Sequence, residues 1–191
     1  MTDQERTLLA GCVSGDKAAW DAFVLQFSAL VYHTIRKTLT LHHADRRDDV
    51  TADLAQEFFV SLLRDRCKKL RQFRGDRGCT VASWLRVIAS RLTIDYLRQQ
   101  RPSDVEASDA IPSDQPDAPA ALIEREQAQF LAKALELLSS RDRLIIELLY
   151  RQAISAEEIA ALLKISVGAF YTQKSRVLDK LRESLDKIPS L

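Results

Sequence analysis

SAEEIAALLKISVGAFYTQKSRVLDKLRES, residues 155–184, is the stretch whose reading decides the fold. Ser155 stands before Ala156-Glu157-Glu158, a pattern in which the serine caps a helix and Glu158 reaches back to the cap. The helix so started, 156–163, is short. Lys164-Ile165-Ser166 makes a turn, and Val167 to about Ser184 forms a longer helix with Val177, Leu178 and Leu181 inward. Ile159, Ala160, Leu163, Ile165 and Val167 sit where the two helices must pack, and Ala160 is small enough for close approach. This is the pattern of a helix-turn-helix, whose second helix enters the DNA major groove. From 164 to 187 six basic residues (Lys164, Lys174, Arg176, Lys180, Arg182, Lys187) outnumber three acidic ones, a net of +3 that suits phosphate contact. The other reading is an ordinary helical hairpin with a solvated charged face.

Working back toward the N-terminus, Leu144, Ile145, Leu148 and Leu149 line a helix that begins at Arg141-Asp142, and Leu131, Leu135 and Leu138 line one before it. This C-terminal unit starts near Ala121. Ahead of it, Pro102, Pro112, Pro116 and Pro119 fall among Asp104, Glu106, Asp109, Asp114 and Asp117 with no Lys or Arg between. Such a segment has too few large apolar residues to bury a core and reads as a linker, 102–120. It divides residues 1–101 from 121–191.

In the first unit Trp20, Phe23, Val24, Phe27, Val31 and Ile35 recur at helix-face spacing. A second helix is expected from near Asp53, with Leu54, Phe58 and Leu62 on one stripe. A third runs from about Thr80 to Gln100, with Trp84, Ile88 and Leu92 buried and Arg86, Arg91 and Arg98 outward. Arg74-Gly75-Asp76-Arg77-Gly78 is the turn between them. No segment alternates with strand period, so the fold class is all-α. Between 64 and 101 eleven Lys or Arg meet three Asp, a net of +8, with Phe73, Trp84 and Tyr96 interleaved. Cations that track a backbone and rings that stack on bases can hold an unpaired nucleic-acid strand. The alternative is that Trp84 is core and the arginines are plain surface.

The bulk properties exclude other classes. The formal net charge is +1, so nucleic-acid binding must rest on the distribution of charge. No apolar run approaches the roughly 18 residues of a membrane span, and Met1-Thr2-Asp3-Gln4-Glu5-Arg6 lacks the basic start of a secretory signal, so a cytoplasmic protein is expected. Cys12, Cys67 and Cys79 fit no metal spacing and read as reduced thiols. His42-His43 reads as loop surface and His33 as structural or surface. No phosphate loop, ligand cluster or nucleophile–base pattern is present, so neither a cofactor, a metal nor an enzymatic activity is expected.

Three motifs then come in a familiar order. Asp53-Leu54-Ala55-Gln56-Glu57-Phe58-Phe59 resembles the acidic helix with which sigma factors dock on RNA polymerase. Phe73-Arg74-Gly75, followed by Trp84-Leu85, Ile88-Ala89 and Ile94-Asp95-Tyr96-Leu97-Arg98, resembles the segment that melts and reads the −10 promoter element. Ile154 to Ala160, through Ile165-Ser166-Val167-Gly168, resembles the helix-turn-helix that reads the −35 element. Two such domains joined by a linker are the plan of the extracytoplasmic-function sigma factors, and the resemblance runs from about residue 17 to 187. It implies a region 2-like domain over 1–101 and a region 4-like domain over 121–191. Asp53, Gln56 and Glu57 would contact core polymerase, with Phe58 and Leu62 supporting that helix. The loop from Arg74 to Val81, with Arg77 and Thr80, would capture a flipped −10 base. Arg86, Arg91 and Arg98 would hold phosphates. Ala169, Tyr171, Thr172, Ser175, Arg176 and Lys180 would face the −35 duplex. The partners implied are core polymerase and promoter DNA, with a serine/threonine kinase or an anti-sigma factor as controller. The rival reading is a non-sigma helix-turn-helix regulator, which needs neither the basic aromatic segment nor the acidic helix.

The chain departs from the family pattern at three places. Lys164 stands where the turn usually has Gly, which implies a non-glycine residue at positive φ. Tyr171-Thr172-Gln173 replaces a Lys-Ser-Arg run. Val50-Thr51-Ala52-Asp53 replaces an acidic Asp-Ala-Glu-Asp tetrad. Thr51 lies at the expected helix start, where a phosphate of about −1.5 to −2 charges would replace what is missing. A phosphorylation switch at Thr51 and a plain N-cap are both open.

Overall fold

The computed structural model describes residues 2–41, 48–75, 79–100 and 119–187. Among the described residues it is helical throughout, with no strand. The helices are α1 (Asp3–Ser14), α2 (Lys17–Leu41), α3 (Asp48–Gln72), α4 (Val81–Gln99), α5 (Pro119–Glu136), α6 (Ser140–Ile146), α7 (Ala156–Leu162) and α8 (Val167–Lys187). A π-helical turn, Glu147–Arg151, continues α6.

α1 was not legible in the apolar periodicity, and capping chemistry explains it. The Thr2 hydroxyl accepts from Glu5 N while Glu5 accepts from Thr2 N, a reciprocal capping box. Gly15 ends the helix at φ 84, a conformation glycine adopts without penalty. Gly11 is needed for a different reason: a Cβ there would stand 2.6 Å from that of Ala19, so α1 and α2 approach too closely for any larger residue. Trp20 Nε1 donates to Cys12 O at 3.0 Å and pins the pair.

The predicted stripe of α2 is its buried face: Phe23, Phe27, Val31 and Ile35 all enter the first core, while Val24 is partly exposed. They meet Leu54, Phe58 and Leu62 from α3 and Val81, Leu85 and Ala89 from α4. α3 begins at Asp48 rather than near Asp53, so Thr51 stands within the helix and is not its N-cap. α3 is also not continuous. Arg64 leaves helical geometry, and Asp65, Arg66 and Cys67 follow at φ 54, 55 and 60 before the helix resumes. Left-handed conformation costs about 1–2 kcal/mol per non-glycine residue. It is offset by Arg71 donating to Asp65 O at 2.9 Å, by Lys69 donating to Ser61 Oγ at 2.9 Å, and by the return of Cys67 and Leu70 to the core.

The second core gathers Leu135 and Leu138, Leu144 to Ile146, Leu148, Ile154, Ile159, Ala160, Phe170 and Val177. α5 starts at Pro119, so the expected linker ends slightly early; Pro is well suited to a first helical position, where its missing N–H is not needed. The rest of the expected linker lies outside the described residues. Ile94 belongs to this second core although it lies on α4. α4 is therefore shared: Leu85 and Ala89 face the first core, and Ile94 with the flanking Val87 faces the second.

All three cysteines are free and buried. Burial, then the Cys67 thiol and Asp16, push the Cys12 thiol up to about 11. A thiol reagent such as DTNB at pH 8 should therefore react with almost no cysteine in the native protein and with all three once urea unfolds it.

Candidate polymerase and promoter surfaces

The residues expected on the polymerase-docking helix separate by depth. Asp53, Gln56 and Glu57 are exposed on one stripe of α3. Phe58 and Leu62 are 0 % exposed, so they hold the helix to the core and cannot touch a partner. Val60 at 42 % and Leu63 at 49 % exposure extend the acidic stripe instead. They lie seven residues after Asp53 and Gln56 and so share that stripe, but only burial shows that these two apolar residues are left outside the core. The result is an apolar ledge rimmed by carboxylates. Thr51 is 2 % exposed, on the inner side of the same helix.

The basic segment forms the end of the first unit. Phe73 and Trp84 stack at 4.8 Å with 28° between ring planes, and both remain partly exposed. Thr80 caps α4 by accepting from Ser83 N at 3.0 Å. Arg74 is exposed beside Gly75, which takes φ 65. Arg77 lies outside the described residues. The three α4 arginines do not form one row. At 100° per residue Arg91 and Arg98 lie within about 20° of each other and Arg86 about 120–140° round the axis. Arg91 lines a hollow with Glu57, Lys69 and Asp95, on the side of α3.

The helix-turn-helix is present and starts where expected, with α7 ending at Leu162, one residue early, and α8 running on to Lys187. Ser155 accepts from Glu158 N at 3.2 Å, as a cap should. The expected return bond from Glu158 is replaced: its carboxylate accepts from the Ser83 hydroxyl on α4 at 2.9 Å. Lys164 takes φ 57, the left-handed turn that its non-glycine identity implied. Ser166 caps α8 by accepting from Ala169 N at 3.1 Å, and Phe170 is fully buried. Ala169, Thr172 and Arg176 share one exposed stripe of α8, with Tyr171 and Ser175 on the neighbouring one. Lys180 is also exposed, but its ammonium is paired at 2.7 Å with Asp142, a nearly buried carboxylate on α6. It anchors α8 to α6 in addition to any role on DNA.

Comparison with known proteins now has a geometry to join. Residues 23–103 match Sigma-70 region 2 and residues 131–181 match Sigma-70, region 4. The RNA polymerase sigma factor CarQ of Myxococcus xanthus is 31 % identical over 170 residues, covering 89 % of this chain and 92 % of that protein. The chain belongs to the extracytoplasmic-function sigma factors. It is also 27 % identical over 182 residues to the ECF RNA polymerase sigma factor SigE of Mycolicibacterium smegmatis, where it covers 91 % of this chain but 65 % of the relative. Among solved structures, CnrH in complex with the cytosolic domain of CnrY superposes with a TM-score of 0.55 at 24 % identity, over 98 % of this chain and 100 % of that one. RpoE in complex with the anti-sigma factor NepR from Bartonella quintana gives 0.50 at 19 %, over 88 % and 99 %. At these identities the likeness shows the fold alone. No helix among the described residues of this sigma factor is long and apolar enough to cross a membrane.

The strained turn yields a direct prediction. Glycine accepts positive φ without the Cβ penalty, so Lys164→Gly should stabilise the sigma factor by about 1 kcal/mol, read as a higher urea midpoint at unchanged slope.

Proposed function

We propose that this sigma factor binds core RNA polymerase and directs promoter-specific transcription initiation in the cytoplasm. The observation that carries the reading is the order of surfaces along one chain. An exposed acidic and apolar stripe on α3 comes first, a cationic aromatic end at Phe73, Arg74 and Trp84 second, and an open recognition face on α8 third. On this reading Asp53, Gln56 and Glu57 meet polymerase together with Val60 and Leu63. Arg74, Thr80 and the neighbouring Arg77 meet the −10 strand, and Arg86, Arg91 and Arg98 the phosphates. Ala169, Tyr171, Thr172, Ser175 and Arg176 meet the −35 duplex, with Lys180 at its edge. On this reading the polymerase does the chemistry.

Run-off transcription with core polymerase on genomic DNA tests this. Discrete transcripts that require the protein are expected. A protein that binds DNA but neither core polymerase nor any start site would instead be the helix-turn-helix regulator. Leu63→Glu should weaken binding to core polymerase at least about tenfold, as loss of an apolar interface anchor does, with little change in unfolding because Leu63 is half exposed.

Control by phosphorylation of Thr51 is the finer part of the proposal. It is supported by the uncharged run Val50-Thr51-Ala52, which departs from the acidic tetrad of the family pattern the chain resembles. Its condition is set by burial: the hydroxyl is inside, and a doubly charged group is very costly there. A kinase must therefore meet α3 with its first turns unwound, and the phosphate must then stay outside the core. Promoter-specific transcription by wild type pretreated with a serine/threonine kinase, by Thr51→Ala and by Thr51→Glu reads it. Kinase-dependent gain in wild type alone, lost in Thr51→Ala, supports the switch; equal activity throughout removes it.

A further inference from the structure

A cleft of about 630 Å³ opens at the end of α3, beside the start of α4 and the turn that follows α7. Its size falls within the range of small-molecule sites, about 300–1,000 Å³. Arg71, Phe73, Arg74 and Trp84 line one wall, and Leu162 and Lys164 belong to the other. Among the described lining residues Arg71, Arg74 and Lys164 are cationic and none is acidic. In a chain whose formal net charge is only +1, that is a concentrated charge of one sign.

The cations are free to take a ligand. Arg74 and Lys164 are exposed, and neither side chain has a hydrogen bond or ion pair among the described residues. Arg71 is exposed too: one N–H of its guanidinium donates to the Asp65 carbonyl at 2.9 Å, and the others are left over. Like charges around one hollow repel, and a bound anion relieves that repulsion. Beside the cations stand Phe73 and Trp84, stacked at 4.8 Å with 28° between their planes and both partly exposed. A flat heteroaromatic base can extend such a stack.

Lys164 adds an independent observation. It holds φ 57, a conformation that favours glycine. Glycine would serve the turn better. What lysine supplies instead is an ammonium at the rim of the cleft, and backbone strain of this kind gathers at ligand clamps.

We propose that this cleft is a binding site for a free nucleoside polyphosphate, with the base against the Phe73–Trp84 stack and the phosphates among Arg71, Arg74 and Lys164. A single phosphate carries about −1.5 to −2 charges, fewer than the three cations around the cleft, so a chain of phosphates matches them better. The second wall limits the length of the ligand. A strand of several nucleotides would have to run on past α7, whereas one nucleotide ends within the cleft. A ligand that touches both walls binds the folded chain and not the unfolded one, so it also raises stability.

Isothermal titration of the full-length protein with ATP tests the site, with adenosine and inorganic tripolyphosphate titrated beside it. ATP should bind saturably and quench tryptophan emission. Adenosine and tripolyphosphate should each bind at least about tenfold more weakly, because charged contacts to the phosphates and stacking of the base are each worth about that factor. Lys164→Gly should lose about tenfold in ATP affinity while its fold is strengthened, so weaker binding there cannot be read as unfolding. Arg74→Gln should lose a similar factor. Absence of saturable ATP binding, ATP binding that leaves tryptophan emission unchanged, tripolyphosphate equal to ATP, or full affinity in Lys164→Gly each overturns the site. So does a single-stranded oligonucleotide that binds where ATP does not, which would mark a surface for strands alone. Core polymerase plays no part in these titrations, so their failure leaves the sigma reading to run-off transcription.

Discussion

Everything in this molecule depends on α4 serving two cores. Leu85 and Ala89 close the N-terminal bundle, and Ile94 enters the C-terminal one less than two turns later. The same helix begins at the Thr80 cap, beside the stacked Phe73 and Trp84 and the exposed Arg74. The element that starts at this cationic, aromatic end of the first unit is therefore also the seat of the second.

The electrostatics of the contact between the two cores depend on pH with a definite sign. Burial raises the Glu147 carboxyl above its ordinary 4.5, against the hydrogen bonds from Gln152 and Thr38 and the charges of Arg151 and Lys37. The packed protein then binds the proton more tightly than the unfolded one. Its contribution to stability is fully present below the ordinary value and is lost as pH rises through the raised one. Glu147→Gln should therefore gain in stability over wild type at pH 8 and lose that advantage by pH 4, read by urea unfolding at both pH values.

Much of the plan was legible in the residues. Phe23, Phe27, Val31 and Ile35 repeat at the helical period because one face must be dry, and the short helix, turn and long helix from 156 carry their own caps. Lys164 announced a strained turn by being lysine. What escaped had no local signal. The break at Asp65, Arg66 and Cys67 contains no Gly or Pro; it is imposed by the need to return Leu70 to the core. The split of Asp53, Gln56 and Glu57 from Phe58 and Leu62 followed from helical period, but the apolar extension at Val60 and Leu63 is visible only once burial shows which leucines are left outside. The partner of Glu158 lay 75 residues away, and a local rule assigned that carboxylate to its own cap.

The central claim is that α3 turns its exposed stripe of Asp53, Gln56, Glu57, Val60 and Leu63 toward core polymerase. A photo-crosslinking residue placed at Val60 on α3, or as a control at Leu25 on α2, both exposed, would report it in the presence of core polymerase. The account predicts adducts with polymerase from position 60 and none from position 25. Adducts from neither position, or equally from both, would contradict it.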